Sequence, residues 1–146
     1  MNAFAVAFAL VAGLGGGMQV AVMARLGERI GSLEAFAFAA LVTVAIGAAV
    51  LLVARQSWSG YAAAVRQPAW LWSGGAFGAL IVLAITYAGS RLGTTGTVAL
   101  MISGNLAAAV VIDRLGWFGL DRIGLHWYRV LGLVLLGAGA ALALRK

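Results

Sequence analysis

Residues 68–95 read PAWLWSGGAFGALIVLAITYAGSRLGTT, and no charged side chain interrupts them between Ala69 and Ser90. Roughly 20 residues of helix cross a hydrocarbon core of about 30 Å, so this stretch is long enough to span a bilayer by itself. A barrel strand would instead show about ten residues of apolar and polar alternation. Because backbone donors and acceptors inside hydrocarbon must be satisfied within the segment, the continuous apolar run predicts a helix.

The same pattern recurs on both sides of it. Helices are expected over about residues 4–24, 32–54, 69–90, 94–113 and 123–144, the last carrying Arg129 near its start. The connecting loops leave no room for a soluble domain, so residues 1–146 are expected to form a single transmembrane domain. Composition agrees: 64% apolar residues, 10% charged residues and a mean hydropathy of +1.04 cannot cover a water-soluble surface. The first stretch has no basic cluster before it and no small-residue cleavage site after it, so it is expected to remain in the mature chain. The fold class predicted is an all-α integral membrane protein.

Several chemistries are excluded by what is missing. The chain has no cysteine and one histidine, His126, so disulfides, thiolate nucleophiles and histidine or cysteine metal sites are not expected. No Ser/His/Asp constellation falls on a common face, and neither an enzyme nor a bound cofactor is expected. The net charge of +6 comes from arginines scattered singly at helix ends. Lipid headgroups rather than nucleic acid are the counter-ions that such a distribution fits.

Glycine and the aromatic residues mark packing and depth. Gly13 with Gly17, Gly74 with Gly78, and Gly104 with Ala108 have the spacing that places small residues on one helix face. The cluster Gly13, Gly15, Gly16 and Gly17 reads as a hinge or as a close-packing surface. Trp58, Tyr61, Ala62 and Val65 recur at helical spacing before Pro68, which predicts a short interfacial helix. Trp70, Trp72, Trp117, Trp127 and Tyr128 lie near the ends of the apolar stretches, where amphipathic rings favour the headgroup region.

Five spans would place Arg25, Arg29, Arg91, Arg145 and Lys146 on one face of the membrane and Arg55, Arg66, Arg114, Arg122 and Arg129 on the other. Orientation normally follows an excess of Lys and Arg in cytoplasmic loops, and here neither face has one. The expectation is insertion in both orientations and an antiparallel pair, whose symmetry reproduces the inverted repeats of secondary transporters.

The stretch quoted above, SGNLAAAVVIDRLGWFGL from Ser103 and RVLGLVLLGAGAALA from Arg129 resemble the YdcZ-type branch of the drug/metabolite transporter superfamily. The resemblance covers nearly the whole chain. It implies a bacterial inner-membrane protein of about five helices that moves small solutes by alternating access, as an antiparallel homodimer or with a paired paralogue. The chain departs from the family pattern at Asn105, where glutamine is usual, and at Ala21, where asparagine is common.

Within the apolar stretches few polar side chains are available to recognise a solute. Asn105 with Ser103, Gln19, Tyr87 and Trp72 are the candidate binding residues, the amides also being suited to helix-to-helix hydrogen bonds. Glu34 near the start of the second helix is a candidate for proton coupling or for a plain helix-dipole contact. Asp113 and Arg114 form a candidate turn or gate pair. Thr86, Ser90, Thr94, Thr95 and Thr97 make the junction of the third and fourth stretches more polar. A dual-topology ion channel and a non-transporting scaffold are the competing readings.

Overall fold

The computed structural model describes residues 2–124 and 126–144. Arg145 and Lys146, two of the five cations assigned to one face, lie outside the described residues. The described residues form five α-helices: α1 (Ala3–Ile30), α2 (Ser32–Arg55), α3 (Ser59–Val65), α4 (Ser73–Leu115) and α5 (Trp127–Ala143). Single 3₁₀ turns at Ala69–Trp72 and Trp117–Gly119 precede α4 and follow it. Three helical stretches are long and apolar enough to cross a membrane: Ala3–Ile30, Ser32–Arg55 and Ala69–Leu115. α5 is apolar but shorter, at 17 residues.

The first apolar run ends at Ala24, yet α1 continues to Ile30. Nothing in the intervening residues stops a helix, and Arg25 donates to the carboxylate of Glu28 at 2.9 Å across one turn. The helix ends instead at Gly31, whose φ of 99° lies in the left-handed half of conformational space, and α2 begins at the next residue. The Gly31 N–H closes α1 on the Gly27 carbonyl, and the Gly31 carbonyl accepts the first bond of α2 from Ala35, both at 3.0 Å. One residue therefore serves both helix ends.

α4 contains 43 residues, which as one straight helix would reach about 65 Å, twice a hydrocarbon thickness. It is broken at Gly93, where φ is 74° and ψ is 167°, a region that glycine alone occupies at low cost. The break leaves segments 73–92 and 94–115, each roughly 30 Å long and so each matched to a bilayer. It falls at the boundary between the third and fourth apolar stretches.

The chain divides into two compact units, one formed by residues 22–90 and the other by residues 1–21 with 91–146. In the first, Met23, Ala24, Ala35, Ile85 and Thr86 are buried. α1 and α4 approach closely there, since a methyl group added at Gly27 would come within 2.8 Å of the Thr86 side chain. The first unit also holds α3, which forms where helical spacing predicts it: Trp58 packs on Tyr61 with ring centroids 5.6 Å apart, and Trp72 Nε1 donates to the Ala64 carbonyl at 3.2 Å. In the second unit Val20, Thr97 and Ala140 are buried. α4 ends in a left-handed Gly116 whose N–H returns to the Ile112 carbonyl, and Ile123 N–H caps the Asp113 carbonyl at 2.9 Å. That bond holds residues 121–124 out of helix, so α5 begins at Trp127, four residues later than the apolar run.

Most apolar side chains have no cover. In the most apolar eighteen-residue window of α2, no residue is buried. Such surface is at home in lipid or against another helix.

Gly93→Ala is expected to destabilise the protein by about 1–3 kcal/mol, because the new side chain must occupy a backbone conformation closed to it. Gly47→Ala, in a helical position of α2 with open space around it, is the control and should be neutral or slightly stabilising. Thermal unfolding of the two purified variants in the same detergent separates them.

Candidate functional site

The polar side chains expected to matter fall into three groups. In the first, the fold joins residues that sequence leaves apart. Ser32, Leu33 and Glu34 from the start of α2 and Leu80, Leu83, Ala84 and Tyr87 from α4 line a pocket of about 600 Å³ within the first unit. Glu34 is the third residue of its helix, where an anion interacts favourably with the positive end of the helix dipole. Its carboxylate also folds back over Gly31, occupying the space that a Cβ there would need. Among the described residues Glu34 has no ion-pair partner, whereas Glu28 is held by Arg25 and Asp113 by Arg129.

The second group lines the contact between α4 and α5. Ser103 donates to the Ala99 carbonyl at 2.9 Å and approaches the Leu136 carbonyl of α5 at 3.5 Å. Its hydroxyl is thereby satisfied on its own helix, as is common for serine in apolar helices. One turn beyond Leu106 and Ala109, Asp113 takes Arg129 as its partner, Nη1 to Oδ2 at 2.9 Å. The adjacent Arg114 forms no ion pair among the described residues. Consecutive helical side chains point about 100° apart, so the carboxylate that faces α5 cannot also face its neighbour in sequence. The pair lies at a pocket of about 300 Å³ between the helices. A further apolar pocket of about 580 Å³, bordered by Thr94 and Thr95, lies along the same two helices.

The third group stands alone. Gln19 and Asn105 are exposed on their helices and, among the described residues, neither amide has a hydrogen-bond partner. Asn105 sits about 17 Å along the helix from Thr94 and about 15 Å from Leu115, close to the middle of its segment. Trp72 does not join Tyr87: 15 residues of helix, about 22 Å, separate them, and its indole N–H is committed to Ala64.

The glycine cluster does not break α1. Gly13, Gly15, Gly16 and Gly17 stay helical, and a Cβ at any of them would meet nothing within 4 Å, which is equally true of Gly74 and Gly78. These stripes are open surface within the single chain.

Thr97 differs from the other hydroxyls. It is 2% exposed, and its Oγ1 has no partner among the described residues. Thr86 and Ser103 both donate to the carbonyl four residues earlier. For Thr97 that residue is Gly93, whose ψ takes its carbonyl off the helical path. The sequence places Thr97 among several threonines and gives no sign that this one is orphaned.

The arrangement is thus a set of helices with uncovered apolar faces, isolated mid-helix amides, and small pockets with few polar groups. The family model described as "Putative inner membrane exporter, YdcZ" matches residues 4–142 of this chain. The chain belongs to the YdcZ family. Among curated proteins and among solved structures, none matches it. Membership of this inner-membrane exporter family agrees with the long apolar helices and points to transport rather than catalysis.

Thr97→Val, which keeps the shape and removes the orphaned hydroxyl, is expected to raise stability by about 1 kcal/mol. Thr86→Val deletes a satisfied hydroxyl at an equally buried position and should give no such gain. Unfolding midpoints of the two variants against the parent check the difference.

Proposed function

We propose that this YdcZ-family chain exports a small organic solute across the inner membrane by alternating access, two five-span copies lying antiparallel around a shared central site. The observation that carries the reading is the Asn105 amide, exposed halfway along an apolar segment with no partner among the described residues. An amide left unpaired in hydrocarbon costs about 2–7 kcal/mol, so it requires a facing helix, water or a polar solute. A second copy laid head to tail sets the same amide near the same depth and yields a site with two amides. Five spans follow if segments 73–92 and 94–115 each cross once and α5 crosses despite its length. The balanced cations on the two faces support insertion both ways round, and the open glycine stripes of α1 and α4 supply surfaces on which another backbone can come close.

Gln19, Ser103, Tyr87 and Trp72 are assigned secondary parts. Gln19 extends the polar lining toward one face, while Ser103 and Trp72 hold the scaffold through the bonds described above. Glu34, Asp113 and Arg114 lie toward helix ends, where they control access. The pair is completed by a second copy or a close paralogue, with the lipid bilayer around it and a small-molecule solute as its cargo.

Reporters that fold only in the cytoplasm or only outside it, fused at the C-terminus, should both be active at similar levels. Activity of one type alone overturns the antiparallel pair. Because the chain has no cysteine, Leu115→Cys offers a second measurement: oxidation links two such residues readily in a parallel pair and not in an antiparallel one. In proteoliposomes loaded with a mixture of small metabolites and followed by mass spectrometry, Asn105→Ala should slow efflux of the transported solute by about tenfold or more, a loss of at least ~1.4 kcal/mol of recognition. Asn105→Gln, which keeps the amide, should retain most of it.

A further inference from the structure

We infer that the pocket between the start of α2 and α4 binds an organic cation, a protonated or quaternary amine or an onium group carried on an apolar body. The pocket lies wholly within the first compact unit and requires no second copy to complete it. Four of its seven lining residues, Leu33, Leu80, Leu83 and Ala84, present only hydrocarbon, and Ser32 adds one hydroxyl. The two remaining residues have complementary chemistry toward one ligand class. Glu34 brings a carboxylate with no cation opposite it among the described residues. Tyr87 brings an aromatic ring whose face attracts cations, more strongly where water is excluded.

The electrostatics decide against the alternatives. Of the four carboxylates, Glu28 and Asp113 are ion-paired among the described residues and Glu34 and Asp121 are not, and of these last two Glu34 is the one that lines this pocket beside an aromatic ring. An anionic ligand meets a like charge at the pocket. A neutral one gains only the apolar walls and leaves the carboxylate without a counter-charge. A cation with an apolar body satisfies both, and at about 600 Å³ the pocket is large enough for a molecule of several rings. The pocket begins within one turn of the start of α2 and runs along segment 73–92 from Tyr87, about a turn and a half from its end, to Leu80, about three turns from it, so that its mouth lies where ligands enter from the headgroup region. The ammonium of a phosphatidylethanolamine lipid and a free amine share the required chemistry. That such a cation is exported cargo rests on the function proposed above; that it binds does not.

Tetraphenylphosphonium and tetraphenylborate have the same shape and opposite charge, which makes them the probes. Equilibrium binding is measured on the purified full chain in nanodiscs of phosphatidylglycerol, after subtracting uptake by empty discs. Saturable binding of the phosphonium, weakened about tenfold or more by Glu34→Gln and several-fold by Tyr87→Leu but little by Tyr87→Phe, is the expected result. Equal binding of the borate, or a phosphonium affinity unmoved by Glu34→Gln, overturns the proposal. Leu83→Trp, which fills the pocket from a different residue, must also abolish binding, and it serves alone if the Glu34 variant does not fold. Adding phosphatidylethanolamine to the discs separates the two sources: competition assigns the pocket to the lipid amine, and none assigns it to a free solute. Phosphonium binding together with failed metabolite efflux would sink the exporter reading and leave this one standing. Efflux that continues while phosphonium binding is absent does the reverse.

Discussion

The constraint on which the rest of this structure depends is that a peptide group inside hydrocarbon must find its hydrogen-bond partner along its own segment. It turns each apolar stretch into a helix, and it leaves side chains to do only what the backbone cannot. Where the helix is regular, hydroxyls such as Thr86 and Ser103 borrow a carbonyl from the preceding turn. Where it breaks, at Gly93, the loan fails and Thr97 is left orphaned. Two junctions between bilayer-length segments fall on glycines, Gly31 and Gly93, whereas α2 ends on a left-handed Gln56 among the described residues.

A consequence is that the interior of the single chain is small. Six apolar residues are buried among those described, while long rows of leucine, valine and phenylalanine remain on the outside of α1 and α2. Lipid satisfies those rows as well as protein would, so they do not by themselves demand a partner. The polar exceptions do. Asn105 and Gln19 are the side chains whose position in an apolar helix is hardest to reconcile with a chain that acts alone, and the antiparallel pair proposed here is an answer to them.

The helices were legible in the sequence because an uncharged run of 20 residues has few alternatives, and α3 because Trp58, Tyr61 and Val65 keep helical spacing. Helix ends were less so: α1 runs through Arg25–Arg29, where charge alone suggests a loop, since a one-turn ion pair costs a helix nothing. The contents of the candidate sites were legible as residue types and not as groups. Glu34 and Tyr87 are more than fifty positions apart, and only the packing of α2 on α4 makes one pocket of them. Asp113 is followed directly by an arginine, yet it pairs with Arg129, because partners across helices are chosen by facing direction. Spacing within a helix encodes its own faces and says nothing of which neighbour each face will meet.

The shortness of α5 has a mechanical meaning. Its 17 residues cover about 25 Å, against a hydrocarbon core of about 30 Å. If α5 lies across the bilayer, the acyl chains beside it must thin, or flanking side chains must stretch to reach water. In that placement Trp127 and Tyr128, their rings 3.8 Å apart at its first turn, would sit at the headgroup level. The helix is then a gauge of membrane thickness, and lipids with longer tails load it with an elastic cost that α1 and α2 do not feel.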